Sequence, residues 1–102
     1  MSTFLHVTLE VKAAGLAKFL ETMGEATPLL EGWGWKLHGA FVQRTGKLNT
    51  VIDVWELRDY NQFDEVLKKF ASHPRFPAIK AVLDETVNSE TIVFASKAPY
   101  MR

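Results

Sequence analysis

Hydrophobic and polar residues alternate along residues 4–11, which read FLHVTLEV. This period of two is typical of a β-strand, because successive side chains of a strand point to opposite faces of the sheet. One face carries Leu5, Val7, Leu9 and Val11, and the other carries Phe4, His6, Thr8 and Glu10. The pattern therefore predicts a first strand with one apolar face and one mixed face.

From residue 16 the apolar residues recur with the spacing of a helix. They follow the i, i+3, i+4, i+7 pattern of a single helix face. These residues are Leu16, Phe19, Leu20 and Met23. Gly24 and the Thr27-Pro28 pair are expected to interrupt the helix, with Thr27 capping a last turn. The predicted helix ends by Gly32.

The rest of the chain predicts two more strands, a second helix and a last strand. The strands cover residues 33–44, 49–59 and 90–96, and the turn TGKLN joins the first two of them into a hairpin. Asp59 and Gln62 form the pattern of a capping box, and helical spacing follows over residues 63–70. The segment SHPRFP ends that helix, and residues 79–83 suggest a short continuation. The order of elements is βαββαβ.

This order predicts the ferredoxin-like α+β fold, a four-stranded antiparallel sheet with both helices on one face. The third strand, NTVIDVWELRD, is apolar on both of its faces. We expect the face without helices to carry Phe4, His6, Thr8, Val51, Asp53, Trp55 and Leu57. Burying an apolar side chain contributes about 1.5–3 kcal/mol to stability, so packing this face against another protein surface is favourable. The sequence therefore predicts a homodimer in which two open sheet faces pack around a shared interior.

The orientation of the second strand depends on the hairpin loop, because directly opposed residues share a face. An even loop places Ala40 opposite Asp53, whereas an odd loop, or a bulge at Gly46, places Phe41 there. The even loop is favoured, because it puts the more apolar set beneath the helices. That set is Trp35, Leu37 and Phe41, and the set on the face of Asp53 is Lys36, His38 and Arg44.

Composition and charge narrow the classes of partner. The chain has 102 residues, and its 12 basic residues balance its 12 acidic residues. This balance argues against nucleic acid as a partner. No apolar run approaches the roughly 20 residues of a membrane span, and the first residues lack the pattern of a secretory signal. The length predicts a single domain over residues 1–102, and the short apolar runs predict no membrane partner. The absence of cysteine agrees with a reducing compartment, so we expect a cytoplasmic protein.

The segment from Gly34 to Phe76 resembles the NIPSNAP family. Its most specific element is the G-x-L-N pattern of Gly46, Leu48 and Asn49, with Trp55 six residues further on. The resemblance implies a dimeric α/β barrel, an architecture shared with antibiotic-biosynthesis oxygenases, heme-degrading monooxygenases and several isomerases. The family has no agreed reaction.

The chain departs from the NIPSNAP pattern beside its tryptophan. Many members carry histidine two residues before it, whereas this chain has Asp53, and Leu57 replaces an aromatic residue two positions after it. A role of that histidine therefore does not carry over to this chain. Asp53 is a separate hypothesis for a base or a hydrogen-bond acceptor.

The candidate catalytic residues are Asp53, His6 and His38, a carboxylate and two imidazoles expected in one half-enclosed pocket. Burial raises the pKa of such a carboxyl group, and a nearby imidazole can act as a general base. The candidate ligand-binding residues are Phe4, Thr8, Lys36, Arg44, Trp55 and Leu57. The more conservative reading gives Asp53 a structural role, as an acceptor for a neighbouring strand or subunit. Neither a metal nor another cofactor is expected.

These residues lead to two functional hypotheses. The first is a homodimer, open to higher assembly, that holds a small organic ligand, aromatic or acidic, in the barrel interior, between its two sheets or between sheet and helices. In that hypothesis the protein resembles a cofactor-independent monooxygenase or an isomerase. The alternative is a non-catalytic interaction or assembly domain, whose interior would be filled by side chains and would lack a pocket of roughly 300 Å³.

Overall fold

The structure, a computed structural model, describes residues 2–101. Its centre is a four-stranded antiparallel sheet with the strand order β2-β3-β1-β4. The strands are β1 (Thr3–Val11), β2 (Lys36–Val42), β3 (Thr50–Leu57) and β4 (Val87–Ala95). Both central strands, β1 and β3, show alternating burial, which the sequence period predicts for β1.

Three helices connect the strands and cover one face of the sheet. They are α1 (Leu16–Gly32), preceded by a 3-10 turn at Ala13–Gly15, α2 (Asn61–Ala71) and α3 (Phe76–Thr86). The second connection therefore consists of two helices, because the turn around Pro74 and Arg75 separates α2 from α3. The βαββαβ order and the ferredoxin-like α+β fold are confirmed.

Helix α1 continues without a break through Pro28, so the predicted interruption at Thr27 is wrong. A proline inside a helix removes one backbone hydrogen bond and crowds the carbonyl group of the preceding turn. Here packing outweighs that cost, because α1 buries side chains against the sheet on both sides of Pro28. These buried residues are Phe19, Thr22, Ala26 and Leu30.

The start of α2 is held by the predicted aspartate. The backbone N–H of Gln62 donates to Oδ1 of Asp59 over 3.1 Å. The side chain of Gln62 reaches one residue further back than expected, and its Oε1 accepts from the backbone N–H of Arg58 at 2.6 Å. This short network fixes Gln62, whose backbone oxygen in turn accepts from the indole of Trp35 at 3.2 Å.

The register between β1 and β3 decides which face of β3 is covered. Leu5 lies opposite Trp55, and Val7 lies opposite Asp53. The prediction of these β3 residues on the open face is therefore wrong. The residues that face the helices are Val51, Asp53, Trp55 and Leu57, all 5% exposed or less. Both faces of β3 are apolar, so its own pattern could not choose between them, and pairing with the leucine-rich side of β1 made the choice.

The open face of the sheet carries a mixed set of residues. From β1 and β3 it presents Phe4, His6, Thr8, Glu10, Ile52, Val54 and Glu56. Phe41 from β2 also lies there, opposite Ile52 and 61% exposed, although it was expected beneath the helices. Trp35 is buried as predicted.

Strand β2 contains an irregularity that the hairpin argument did not foresee. Ala40 lies opposite Asp53, as the even loop predicts, but the register shifts between Leu37 and Gly39. His38 occupies this bulge, and extra residues of this kind re-aim neighbouring side chains. Lys36 and His38 consequently share the open face with Glu56 and not the face of Asp53.

Candidate active site between sheet and helices

A cavity of about 210 Å³ lies between the helices and the covered face of the sheet. An engineered apolar cavity of about 150 Å³ is known to hold benzene, so this space suits a molecule of one substituted ring. Its volume is below the roughly 300 Å³ at the lower end of typical ligand sites. The lining residues are Leu5, Val7, Leu9, Met23, Ala26, Leu30, Trp35, Asp53, Trp55, Phe63, Leu67, Phe70, Leu83, Glu90 and Ile92.

Aromatic rings form one wall of the cavity. The rings of Trp35 and Trp55 meet edge to face with centroids 5.5 Å apart, and Phe63 stacks on Trp35 at 5.8 Å. The hydrogen bond from the Trp35 indole to Gln62 holds this group in place. Aromatic pairs of this geometry stabilise each other by about 0.5–1.5 kcal/mol, which favours this arrangement of the rings.

Asp53 supplies the only carboxyl group deep in the cavity among residues 2–101. Its side chain comes from the middle of β3, and the residue is 5% exposed. Burial raises the pKa of Asp53 to about 6, and no described charge or hydrogen bond offsets that effect. A carboxyl group with a pKa near neutrality can both accept and release a proton, as a general base requires.

A second space reaches Asp53 from the other side of the molecule. A groove of about 330 Å³ runs between α1 and the edge of the sheet at β2. Its lining includes Gly24 and Thr27 of α1 and Ala40 of β2. Asp53 and Met23 line both the groove and the cavity. Asp53 therefore borders two compartments.

The mouth of the cavity lies at the β4 edge of the sheet. Ile92 is 42% exposed and Leu67 of α2 is 37% exposed, and both belong to the lining. Glu90 is an exposed residue of the same rim. A molecule that enters at this edge thus passes apolar side chains and one carboxylate before it reaches Asp53.

The two candidate histidines lie on the opposite face of the sheet from Asp53. Nε2 of His38 is 2.7 Å from Oε1 of Glu56, and the His38 ring meets Phe4 edge to face at 5.6 Å. With His6, these residues border a cleft of about 310 Å³ that the C-terminal segment 96–101 completes. The expectation that Asp53, His6 and His38 share one pocket is wrong, because the sheet lies between them.

The candidate ligand-binding residues are similarly divided. Trp55 lines the cavity, whereas Leu57 is buried in the core outside that lining. On the open face lie Phe4, Thr8 and Lys36. Arg44 is exposed in the loop after β2.

Several residues of the cavity were not selected from the sequence. Met23, Phe63 and Leu67 belong to helices whose apolar faces indicated core positions only. A gap in a core leaves no mark in the hydrophobic period, so the sequence could not distinguish these residues from fully packed ones. Across residues 2–101, no cluster of three or more histidine, aspartate or glutamate side chains could hold a metal ion.

Fold and cavity together define a ferredoxin-like domain with a small buried site between sheet and helices. The sequence model of the NIPSNAP family matches residues 6–100. The chain therefore belongs to the NIPSNAP family, which lies within the dimeric α/β-barrel superfamily. No match was found among curated protein sequences.

Solved structures of the same fold include two from this family. A NIPSNAP domain protein from Burkholderia xenovorans is 21% identical, with a TM-score of 0.82 over 100% of this chain and 99% of that one. A NIPSNAP family protein from Agrobacterium tumefaciens is 19% identical, with a TM-score of 0.87 over 98% and 96% of the two chains.

The similarity extends to a solved structure of an oxygenase. SnoaB from Streptomyces nogalater, a cofactor-independent oxygenase, is 13% identical, with a TM-score of 0.72 over 98% of each chain. At this level of identity the likeness concerns the fold. None of the helices within residues 2–101 has the length and apolar character needed to cross a bilayer.

Proposed function

We propose that this protein is a small-molecule enzyme in which Asp53 exchanges a proton with a ligand held in the cavity. The observation that carries the proposal is a buried carboxyl group, with its pKa raised to about 6, on the wall of a mostly apolar cavity. Proton removal from a bound organic molecule is the first step expected of a cofactor-independent oxygenase- or isomerase-like reaction. Support for that class comes from the fold shared with SnoaB.

The lining explains how such a site would work. Apolar walls exclude water and strengthen the interaction between the carboxylate and a donor on the ligand. The aromatic wall of Trp35, Trp55 and Phe63 offers flat surfaces against which a ring can stack. His6 and His38 are assigned no role in this step, since they lie across the sheet from Asp53.

Binding of 2-phenylethanol tests whether the cavity is a ligand site. We expect a Kd of about 1 mM or below, which corresponds to about 4 kcal/mol, or under 0.5 kcal/mol per heavy atom. In a nitrogen-15 NMR titration the indole signals of Trp35 and Trp55 should shift. The indole signal of Trp33 should stay, because Trp33 contacts Phe70 and His73 but does not line the cavity.

A pair of substitutions on α1 provides the control. Ala26→Leu places extra atoms in the cavity, since Ala26 belongs to the lining. It should therefore lower the affinity for 2-phenylethanol at least tenfold. Ala17→Leu makes the same change at an exposed position of the same helix and should leave the affinity unaltered. Equal affinity in both variants, or shifts at Trp33 alone, would place the ligand elsewhere.

The proposed enzyme is a homodimer joined through the open sheet face. Apolar side chains on this face include Phe41 and Val93, which are 61% and 51% exposed. Near its centre lies Val54, opposite His6 on one side and Gly39 on the other. Removing such residues from water contributes about 25 cal/mol per Å² of apolar area, and the superfamily to which the chain belongs is dimeric.

Val54→Glu tests this interface. A carboxylate buried between two sheets costs several kcal/mol, so the variant should sediment as a monomer at concentrations where the parent protein is a dimer. Leu48→Glu, at a residue 60% exposed in the β2–β3 loop, makes the same change away from the face and should leave the dimer intact. A parent protein that sediments as a monomer at 100 μM, or a dimeric Val54→Glu variant, would contradict the assignment.

A further inference from the structure

The charged side chains that line the cavity are all acidic. Among the described residues, its lining contains two carboxylates, Asp53 inside and Glu90 at the rim, and no lysine, arginine or histidine. An anionic ligand would find no opposite charge there and would lie beside Asp53 in surroundings that screen charge poorly. The acidic ligand expected from the sequence therefore does not suit this cavity.

Aromatic rings add to the same preference. Trp35, Trp55, Phe63 and Phe70 all line the cavity, and Trp35 lies within 6 Å of both Trp55 and Phe63, centroid to centroid. The face of an aromatic ring carries negative charge density and attracts a cation, more strongly where water is excluded. The carboxylate groups and the aromatic rings thus both favour a cationic ligand.

We propose that the ligand is a small aromatic amine whose protonated nitrogen pairs with Asp53 while its ring lies against the tryptophans. This inference rests on the proposed function, because it assumes that the cavity is a ligand site. The proposed ligand is thus an organic cation with about one aromatic ring.

The two carboxylates would act differently on such a ligand. Asp53 lies opposite Val7 and Glu90 lies opposite Leu9, on strands that flank β1 from either side. Neighbouring strands are about 4.8 Å apart and a strand advances about 3.4 Å per residue, so the backbones of Asp53 and Glu90, two strands and two residues apart, are separated by roughly 12 Å. Asp53 is buried whereas Glu90 is exposed at the rim, so Glu90 acts on an ammonium group paired with Asp53 from a greater distance, and its charge, which attracts cations to the mouth, is screened by salt.

Three ligands with the same ring and different head groups test the inference. They are 2-phenylethylamine, 2-phenylethanol and phenylacetate, which are cationic, neutral and anionic at pH 7.5. We expect the amine to bind at least tenfold more tightly than the alcohol, because a hydrogen bond between two charged partners is stronger than one to a neutral hydroxyl group. Phenylacetate should bind most weakly. Calorimetry and the Trp55 indole signal provide two independent measurements.

Two variants separate the contributions of the carboxylates. Asp53→Asn should bring the amine to within threefold of the alcohol while the alcohol keeps its affinity. Glu90→Gln should lower the affinity for the amine by no more than about threefold, and this difference should disappear at 0.5 M salt. The amine should also weaken below pH 6 as Asp53 becomes protonated, since the only other titratable side chain of the described lining is the exposed Glu90.

The outcomes distinguish this inference from the function on which it rests. If the alcohol or the acid binds as tightly as the amine, the charge preference is refuted and the cavity remains a ligand site. If none of the three binds, both proposals fail. An amine preference that survives Asp53→Asn would also refute the assignment of Asp53 as the partner of the nitrogen.

Discussion

Asp53→Asn is expected to stabilise the protein by about 2 to 3 kcal/mol at pH 8 and to have little effect at pH 4. Burial raises the pKa of Asp53 from 3.8 to about 6, and at 1.36 kcal/mol per pKa unit this rise corresponds to about 3 kcal/mol. Because the folded protein holds the proton more tightly than the unfolded chain, stability falls as the pH rises from 3.8 to 6. Above pH 6 the buried carboxylate of Asp53 is ionised, and its burial lowers the free energy of unfolding by the full amount. Asparagine carries no charge, so the variant does not have this cost.

Urea unfolding at several pH values would measure this effect. Asp84→Asn is a suitable control, because Asp84 is an exposed residue of α3 paired with Lys80 at 2.6 Å. Loss of such a helix pair should cost about 0.3–0.5 kcal/mol, with no gain at high pH. A fall in stability of Asp53→Asn at pH 8 would show that the carboxylate has a partner in the folded protein and is structural.

Phe19→Ala is expected to destabilise the protein by about 3 to 5 kcal/mol. Phe19 is fully buried, at 0% exposure, where α1 packs on the sheet. Its removal leaves a cavity that the surrounding helix and strands can fill only in part. For a domain of this size each kcal/mol lowers Tm by about 4–8 °C, so the transition should fall by more than 10 °C.

The neighbouring residue provides the matched control. Leu20 is also on α1 but is 41% exposed, so Leu20→Ala should cost under about 1 kcal/mol. Similar losses for both variants would mean that α1 does not lie on the sheet as described. The dependence of unfolding free energy on urea should keep its slope in both variants, which shows that the denatured state is unchanged.

The periods of the hydrophobic pattern were sufficient to predict the fold. The alternation at residues 4–11 and the helical spacing from Leu16 correspond to β1 and α1, and their order restricts the topology. What the pattern could not assign was the covered face of β3. Apolar residues occupy both of its sides, so only the pairing of Trp55 with Leu5 distinguishes them.

The site was predicted only in part, for a related reason. Asp53 and Trp55 were selected because a carboxylate beside an indole is unusual on a buried strand. Their partners depended on the side of the sheet, and with the wrong side Asp53 was grouped with His6 and His38. The bulge at His38 adds a further change of direction that no local signal announces.

The position of Asp53 between two compartments bears on how a reaction could repeat. A base must return its proton before it can act again, and in a site with one entrance the bound molecule blocks the route to solvent. Here Asp53 and Met23 line the groove along α1 as well as the cavity. In the proposed function this groove offers the proton on Asp53 a second route to solvent, so the base could be reset before product is released.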